Sequence, residues 1–537
     1  VHRISARAIY LSLLTIGIAA LATGWLTLGT SVEGAGTRWV EGVVGAAGER
    51  VNPLLAEPGS VDADLVALIF NGLIRIDGDG TPLPDLADRW EVTPDGKTYT
   101  FVLRSDLSWH DGHPFSTADV AFTIGLLQDA EFSGVPTLAA QWQAVDPFVI
   151  DERTILLRIP DPAADFVTRL AVGILPKHRI GDISTATLSE TKFNRAPIGT
   201  GPFRLISLNS DRAMLERNTS YHRGAPAIEV LELRFYSSAT QQLDALARGT
   251  IDAALRGEQS TDRERELLAT RTDLRSVELT RHAFTLLYLN NQRAPLDDVE
   301  LRRAIATSLD SETVVASAGI RGAQGDGVLV PGSWMDRAVQ PSSALPEVDL
   351  AWAEAGTQLD VEGRRMRNGI PLSLELLTNA DPARIRLAEA IAAQLRAQGV
   401  AIEMTPLPAA ELLSRWLIPR DYELALFGWE VNVDPDPYLG WHTSQISEVG
   451  RNIAGFQDAT ADAILEAARL TVDGGERREL YAAFQFRFAE QAASVVILYP
   501  ARLYVHPASL VGFEAGLLFS PGDRFRDIHR WQFTSSS

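Results

Sequence analysis

The sequence predicts an α/β protein in which helices cover an open, partly parallel sheet. Three observations predict it. Between 371 and 427, alternating apolar segments and helical periodicity take turns in the order β-α-β-α-β. Between 228 and 255 the pattern appears again as a βαβ unit. The chain has 537 residues, 46% hydrophobic and 22% charged, enough for two or more domains with substantial cores.

Each element has a local reason. Segment 97–103, KTYTFVL, follows the turn Pro94-Asp95-Gly96 and is rich in strand-forming residues. Segment 116–127, STADVAFTIGLL, opens with Ser116 and places Asp119 at the third helical position, a helix start. Strand 228–236, helix 239–248 closed by Gly249, and strand 251–255 form the βαβ unit. Asp297 followed by Glu300 resembles a capping box opening a helix over 299–309. Leu372, Leu374 and Leu376 alternate in strand 371–377. Ile385, Ala388, Ile391, Ala392 and Leu395 share one face of helix 382–398, which ends at Gly399. Strand 400–407, short helix 409–417 and strand 422–427 complete the series.

The next stretch, FGWEVNVDPDPYLGWH (427–442), fits neither helix nor strand. Open α/β sheets bind ligands beyond the carboxyl ends of their strands, and Trp429 to Trp441 are expected there. Pro435 and Pro437 cannot donate backbone hydrogen bonds; they stop the strand and stiffen the loop.

The net charge of −20 argues against a nucleic-acid partner. The absence of cysteine excludes disulfides, thiolate metal sites and cysteine nucleophiles. Arg3 and Arg7 precede the uncharged run 8–28, about 31 Å long as a helix. Two readings of 1–30 stay open: a transmembrane signal anchor, or a signal peptide with Ala20-Leu21-Ala22 as cleavage site. Both place the body of the chain outside the cytoplasm, after a small polar linker at 31–37. HExxH, GxSxG and GxxxxGK[ST] are absent, which disfavours an extracytoplasmic hydrolase and an ATPase in this chain. His110-Asp111-Gly112-His113 lacks further ligands nearby, so no metal and no cofactor is expected. The glycine-rich 197–202 lacks GxGxxG spacing and reads as a subdomain boundary.

Six motifs in order carry a family resemblance: FNGLIRID (70–77), PDLADRWEVTPDGKTYTFVLRSDLSWHDGHPFSTADVAF (84–122), PIGTGPFRL (197–205), LERNTSYHRGAP (215–226), YLNNQRAPLDDVELRRAIATSLD (288–310) and YELALFGW…DPDPYLGWHTSQ (422–445). The chain resembles the family 5 extracellular solute-binding proteins of bacterial ATP-binding-cassette importers, the oligopeptide, dipeptide and nickel receptors. The resemblance implies a two-lobed fold like the type II periplasmic binding proteins, with three subdomains and a ligand cleft between the lobes. Lobe I would comprise 38–60, 196–280 and 496–537, with an inserted subdomain at 61–195. Lobe II would be 281–495, and the hinge would cross near Leu289 and Val495. The implied protein is a monomeric, non-enzymatic receptor that captures peptides by hinge closure. It would deliver them to membrane permease subunits driven by a separate ATPase. An oligosaccharide, an opine-like compound or a metal chelate is the alternative ligand.

The same resemblance marks candidate ligand-binding residues. Trp429 occupies the position of the family's pocket tryptophan. Asn432 stands where peptide receptors carry an aspartate that pairs with the ligand's α-ammonium. Asp434 and Asp436 are either substitutes for it or turn formers before proline. Glu57, in NPLLAEPG, matches a ligand-contacting glutamate of lobe I. Of Tyr438, Trp441 and His442, at least one is expected in the cleft. Asn290 and Asn291 are expected to fix the crossover.

Overall fold

Strand pairing organises the chain around one 12-stranded sheet, in a computed structural model that describes residues 37–534 apart from 47, 49, 338–346 and 448. The anchor or signal peptide at 1–30 lies outside the described residues, as does most of the linker. Among the described residues no helix is long and apolar enough to cross a membrane.

The principal strands are β1 (Arg38–Val44), β2 (Phe203–Leu208), β3 (Arg212–Arg217), β4 (Val230–Tyr236), β5 (Ala253–Arg256), β6 (Leu274–Thr280), β7 (Ala283–Leu289), β8 (Ser373–Asn379), β9 (Ala401–Leu407), β10 (Leu424–Glu430) and β11 (Ser494–Pro507). Their order is β9-β8-β10-β7-β11-β5-β1-β4-β3-β2, with β6 also on β11. The βαβ unit is present with β1 inserted between its strands, parallel to both. In the other half, β8 runs parallel to β9 and β10, the open parallel arrangement expected there.

Local signals act where they were read. Ser116 and Asp119 form a reciprocal capping box on helix Thr117–Gln128. Gly399 takes φ of 84° just past Gln398, the C-cap of helix Pro382–Ala397. Two local readings shift. The cap of helix Val299–Thr307 is Asp298, not Asp297, because its carboxylate reaches the Glu300 amide. Helix 409–417 widens into a π turn at Leu412–Leu417, whose five-residue spacing buries both leucines.

The strand pairing shows where the chain passes between the two halves of the sheet. Leu289 and Val495 both lie inside the half of the sheet built on β7 and β10. The chain changes halves at Arg281–His282, between β6 and β7, and within β11 near Pro500–Ala501. β11 is long enough to serve both halves: residues 494–498 pair with β7 and 501–507 with β6. Residues 496–500 therefore pair with the second half. Pro500 stands at this crossing, but the strand runs on through it without a break, so the proline does not mark a boundary in the pattern.

Segment 61–195 contributes a four-stranded antiparallel sheet, Ala87–Val92, Thr98–Leu103, Thr154–Arg158 and Asp146–Val149 in that order. It has no separate core. Tyr99, Phe101 and Leu157 belong to the apolar cluster that also contains Trp39, Leu231 and Trp531.

Candidate functional site

The period of two along a strand builds the site. On β7, Leu287 and Leu289 face one core, while Phe284, Leu286 and Tyr288 face another. On β10, Leu424 and Leu426 join the first core; Ala425, Phe427 and Trp429 join the second. Helices Ala459–Leu470 and Gly474–Glu490 cover that second face through Leu465, Phe484 and Phe488. Strand β10 does not stop at Phe427. It runs to Glu430 because Phe284 and Ala283 pair with Trp429 and Glu430. Trp429 thus stands on the strand, and the loop begins at Val431.

Trp429 Nε1 donates to the Tyr288 hydroxyl, and burial pushes the Tyr288 phenol far above its ordinary value. Tyr288 stacks on Trp441 at 6.3 Å and 20°, and Trp441 meets Phe488 edge-on at 4.6 Å. These rings bound a cleft of about 630 Å³, whose wall includes Trp429, Asn432, Asp434, Asp436, Trp441 and Arg451. The Arg451 guanidinium sits 6.0 Å from the centre of the Trp429 ring, a cation–π distance.

The two aspartates are occupied. Asp434, 4% exposed, accepts two hydrogen bonds from Arg477, at 2.5 and 2.6 Å. Arg477 also donates to the Tyr481 hydroxyl. Burial pushes the Asp434 carboxyl up and Arg477 pulls it down. Asp436 accepts from Arg469 Nε at 2.7 Å and from the Tyr438 amide at 3.0 Å, a turn just ahead of the short helix Tyr438–Trp441. Asn432 is exposed on the cleft wall.

The other candidates separate. Trp441 lines the cleft, whereas Tyr438 and His442 stack on each other at 4.1 Å outside it. Arg469 covers the Tyr438 ring at 4.1 Å, and His442 Nδ1 holds Ser444. The structure does not bring Glu57 to the Trp429 cleft; it is an exposed loop residue. Its neighbours Pro58 and Gly59 line a second cleft of about 480 Å³, at the junction between the two halves of the sheet. Asn290 donates to the Arg420 and Tyr422 carbonyls and Asn291 to those of Leu289 and Ala493, so both tie loops within the second half. His110 braces the glycine-rich segment: its Nε2 donates to the Gly201 carbonyl at 2.9 Å and its Nδ1 accepts from the Gly199 amide. Among the described residues no histidine–carboxylate cluster could hold a metal ion.

At the junction Arg281 pairs with Glu258 from the first half and Glu430 from the second. His282 Nδ1 donates to the Val431 carbonyl at 3.1 Å, its ring lies 4.7 Å from Phe519, and burial drives it down to about 4. Arg281, His282, Glu430 and Arg502 line the second cleft, and Glu430 also borders the first.

Sequence reasoning missed Tyr288, Arg451, Arg477, Arg281 and Arg502. Only Arg477 left a signal. It precedes Tyr481, Phe484 and Phe488 at helical spacing, and a charge on an apolar face needs a buried partner.

Residues 81–448 match the family model described as bacterial extracellular solute-binding proteins, family 5 Middle. The oligopeptide-binding protein AppA of Bacillus subtilis is 23% identical over 509 residues, 91% of each chain. The dipeptide-binding protein of Escherichia coli is 26% identical over 491 residues, covering 84% of this chain and 87% of its own. The structure of Bacillus subtilis AppA in complex with a nonapeptide superposes with a TM-score of 0.66 at 22% identity, over 93% of this chain and 99% of that one. The mixed α/β fold is therefore that of these binding proteins, and the chain belongs to the bacterial extracellular solute-binding proteins of family 5.

Proposed function

We propose that the chain is the extracytoplasmic receptor of a peptide importer. One observation carries the reading: the aromatic cleft of Trp429, Tyr288 and Trp441 opens beside a junction that, among the described residues, two stretches of chain cross, 281–282 and 500–501. Two such crossings form a hinge, and a ligand between the halves is enclosed when they close. The lobes on this reading are 38–60, 196–280 and 501–534 with the insertion at 61–195, against 283–500. Closure would carry Glu57 and Pro58 toward the ligand. The two relatives named above, an oligopeptide-binding and a dipeptide-binding protein, support peptides as the solute. The receptor would then dock on membrane permease subunits whose ATPase is a separate polypeptide, and it performs no catalysis.

The test is mass spectrometry of small molecules released on denaturing the purified protein, followed by a thermal-shift screen with a random tripeptide library. Released short peptides, or a library-dependent rise in Tm, support the reading. A single released sugar or chelate with no response to the library overturns it.

A further inference from the structure

An ammonium taken out of water needs a carboxylate beside it, and one left unpaired costs several kcal/mol. Every carboxylate bordering the two clefts already has a cation: Glu430 has Arg281, Asp434 has Arg477, and Asp436 has Arg469. Asn432 is neutral. Within the Trp429 cleft an incoming ammonium would have to break one of these pairs; Glu430, which shares Arg281 with Glu258, and Glu57 are exposed at the rim and hold no buried site for it.

Two guanidiniums are in the opposite position. Arg451 lies over the Trp429 ring and has no carboxylate partner among the described residues. Arg502, on β11, projects into the junction cleft and also has none among them. The carboxylates that act on it, Glu258 and Asp64, are held by Arg281 and Arg524. Burial, then the neighbouring Arg281, lowers the pKa of Arg502; the opposite charge of a carboxylate from outside would counterbalance them.

We infer that the clefts select a peptide whose amino end is blocked, as by N-acylation, and whose free carboxylate is received by Arg502. This rests on the peptide reading above. The blocked end meets Asn432, whose amide can donate to an acyl carbonyl, and Arg451, which can do the same. Arg502 supplies a charge-assisted, two-pronged contact to the carboxylate.

The experiment compares one random tripeptide library in three forms on the full chain: free, N-acetylated, and N-acetylated with a C-terminal amide. Binding is read by equilibrium dialysis and mass spectrometry. The acetylated acids are expected to bind at least tenfold more tightly than both other forms. Asn432→Asp should reverse the first preference, and Arg502→Met should abolish the second while leaving the first. Free-amine peptides binding as tightly as acetylated ones, or amides as tightly as acids, would overturn the inference and leave the peptide reading standing. Failure of all three forms to bind would overturn the peptide reading and the inference together.

Discussion

The two clefts share Glu430 and are held in opposite ways. The Trp429 cleft is built from one half of the sheet and its covering helices: Asp434 with Arg477, Asp436 with Arg469, Trp429 with Tyr288. The junction cleft is held by pairs that join both halves, with Arg281 between Glu258 and Glu430. Pairs within one half keep their geometry whatever the halves do relative to each other, so they stabilise the wall. Pairs across the junction are remade or lost with any relative motion, so they act on conformation more than on stability.

The largest test of this contrast is Arg477→Met. It leaves Asp434 buried without its cation and is expected to cost about 3–5 kcal/mol in denaturant unfolding. Adding Asp434→Asn should restore much of that loss. A single variant as stable as the wild type would mean that the pair does not support the wall.

Acid offers a second test, at the junction cleft through His282 and at the glycine-rich segment that His110 braces. Burial holds His110 and His282 neutral, each lowered from 6.5 to about 4. In the unfolded chain both take up a proton below pH 6.5. Stability is therefore full above pH 6.5 and drains as the pH falls toward 4, by about 3 kcal/mol per histidine at most. His282→Phe should flatten the stability–pH curve, and an unchanged slope would place His282 in contact with water.

Trp429→Ala should weaken binding of the released ligand at least tenfold, about 1.4 kcal/mol, with the fold retained by circular dichroism. Unchanged affinity would move the site from the aromatic cleft to the junction. The smallest energetic effect belongs to Arg281→Ala. Its partners are partly exposed, so unfolding should change by less than about 1 kcal/mol. Small-angle scattering should nevertheless show an altered radius of gyration for the ligand-free protein. A large stability loss with unchanged scattering would erase the distinction between the two clefts.

Legibility in the sequence followed range. The capping box of Ser116 and Asp119 lies within four residues and was readable. The alternation of Leu374 and Leu376 was readable because one strand face is buried as a unit. The end of β10 was not, because residues 283 and 284 decide it. Pro435 and Pro437 lie in the loop, beyond the strand's end at Glu430, and whether the adjoining aspartates are free is not written near them.

The sequence by itself determined the α/β class, most of the helices and strands, and an aromatic, proline-stiffened loop after β10. Capping, alternation and proline geometry act over a few residues, and a local pattern states them completely. Only the tertiary structure decided which charges are spoken for. Arg477 reaches Asp434 across 43 positions, and Arg281 reaches Glu430 across 149. A buried charge is satisfied by whichever partner the fold brings beside it, and no spacing rule encodes that choice.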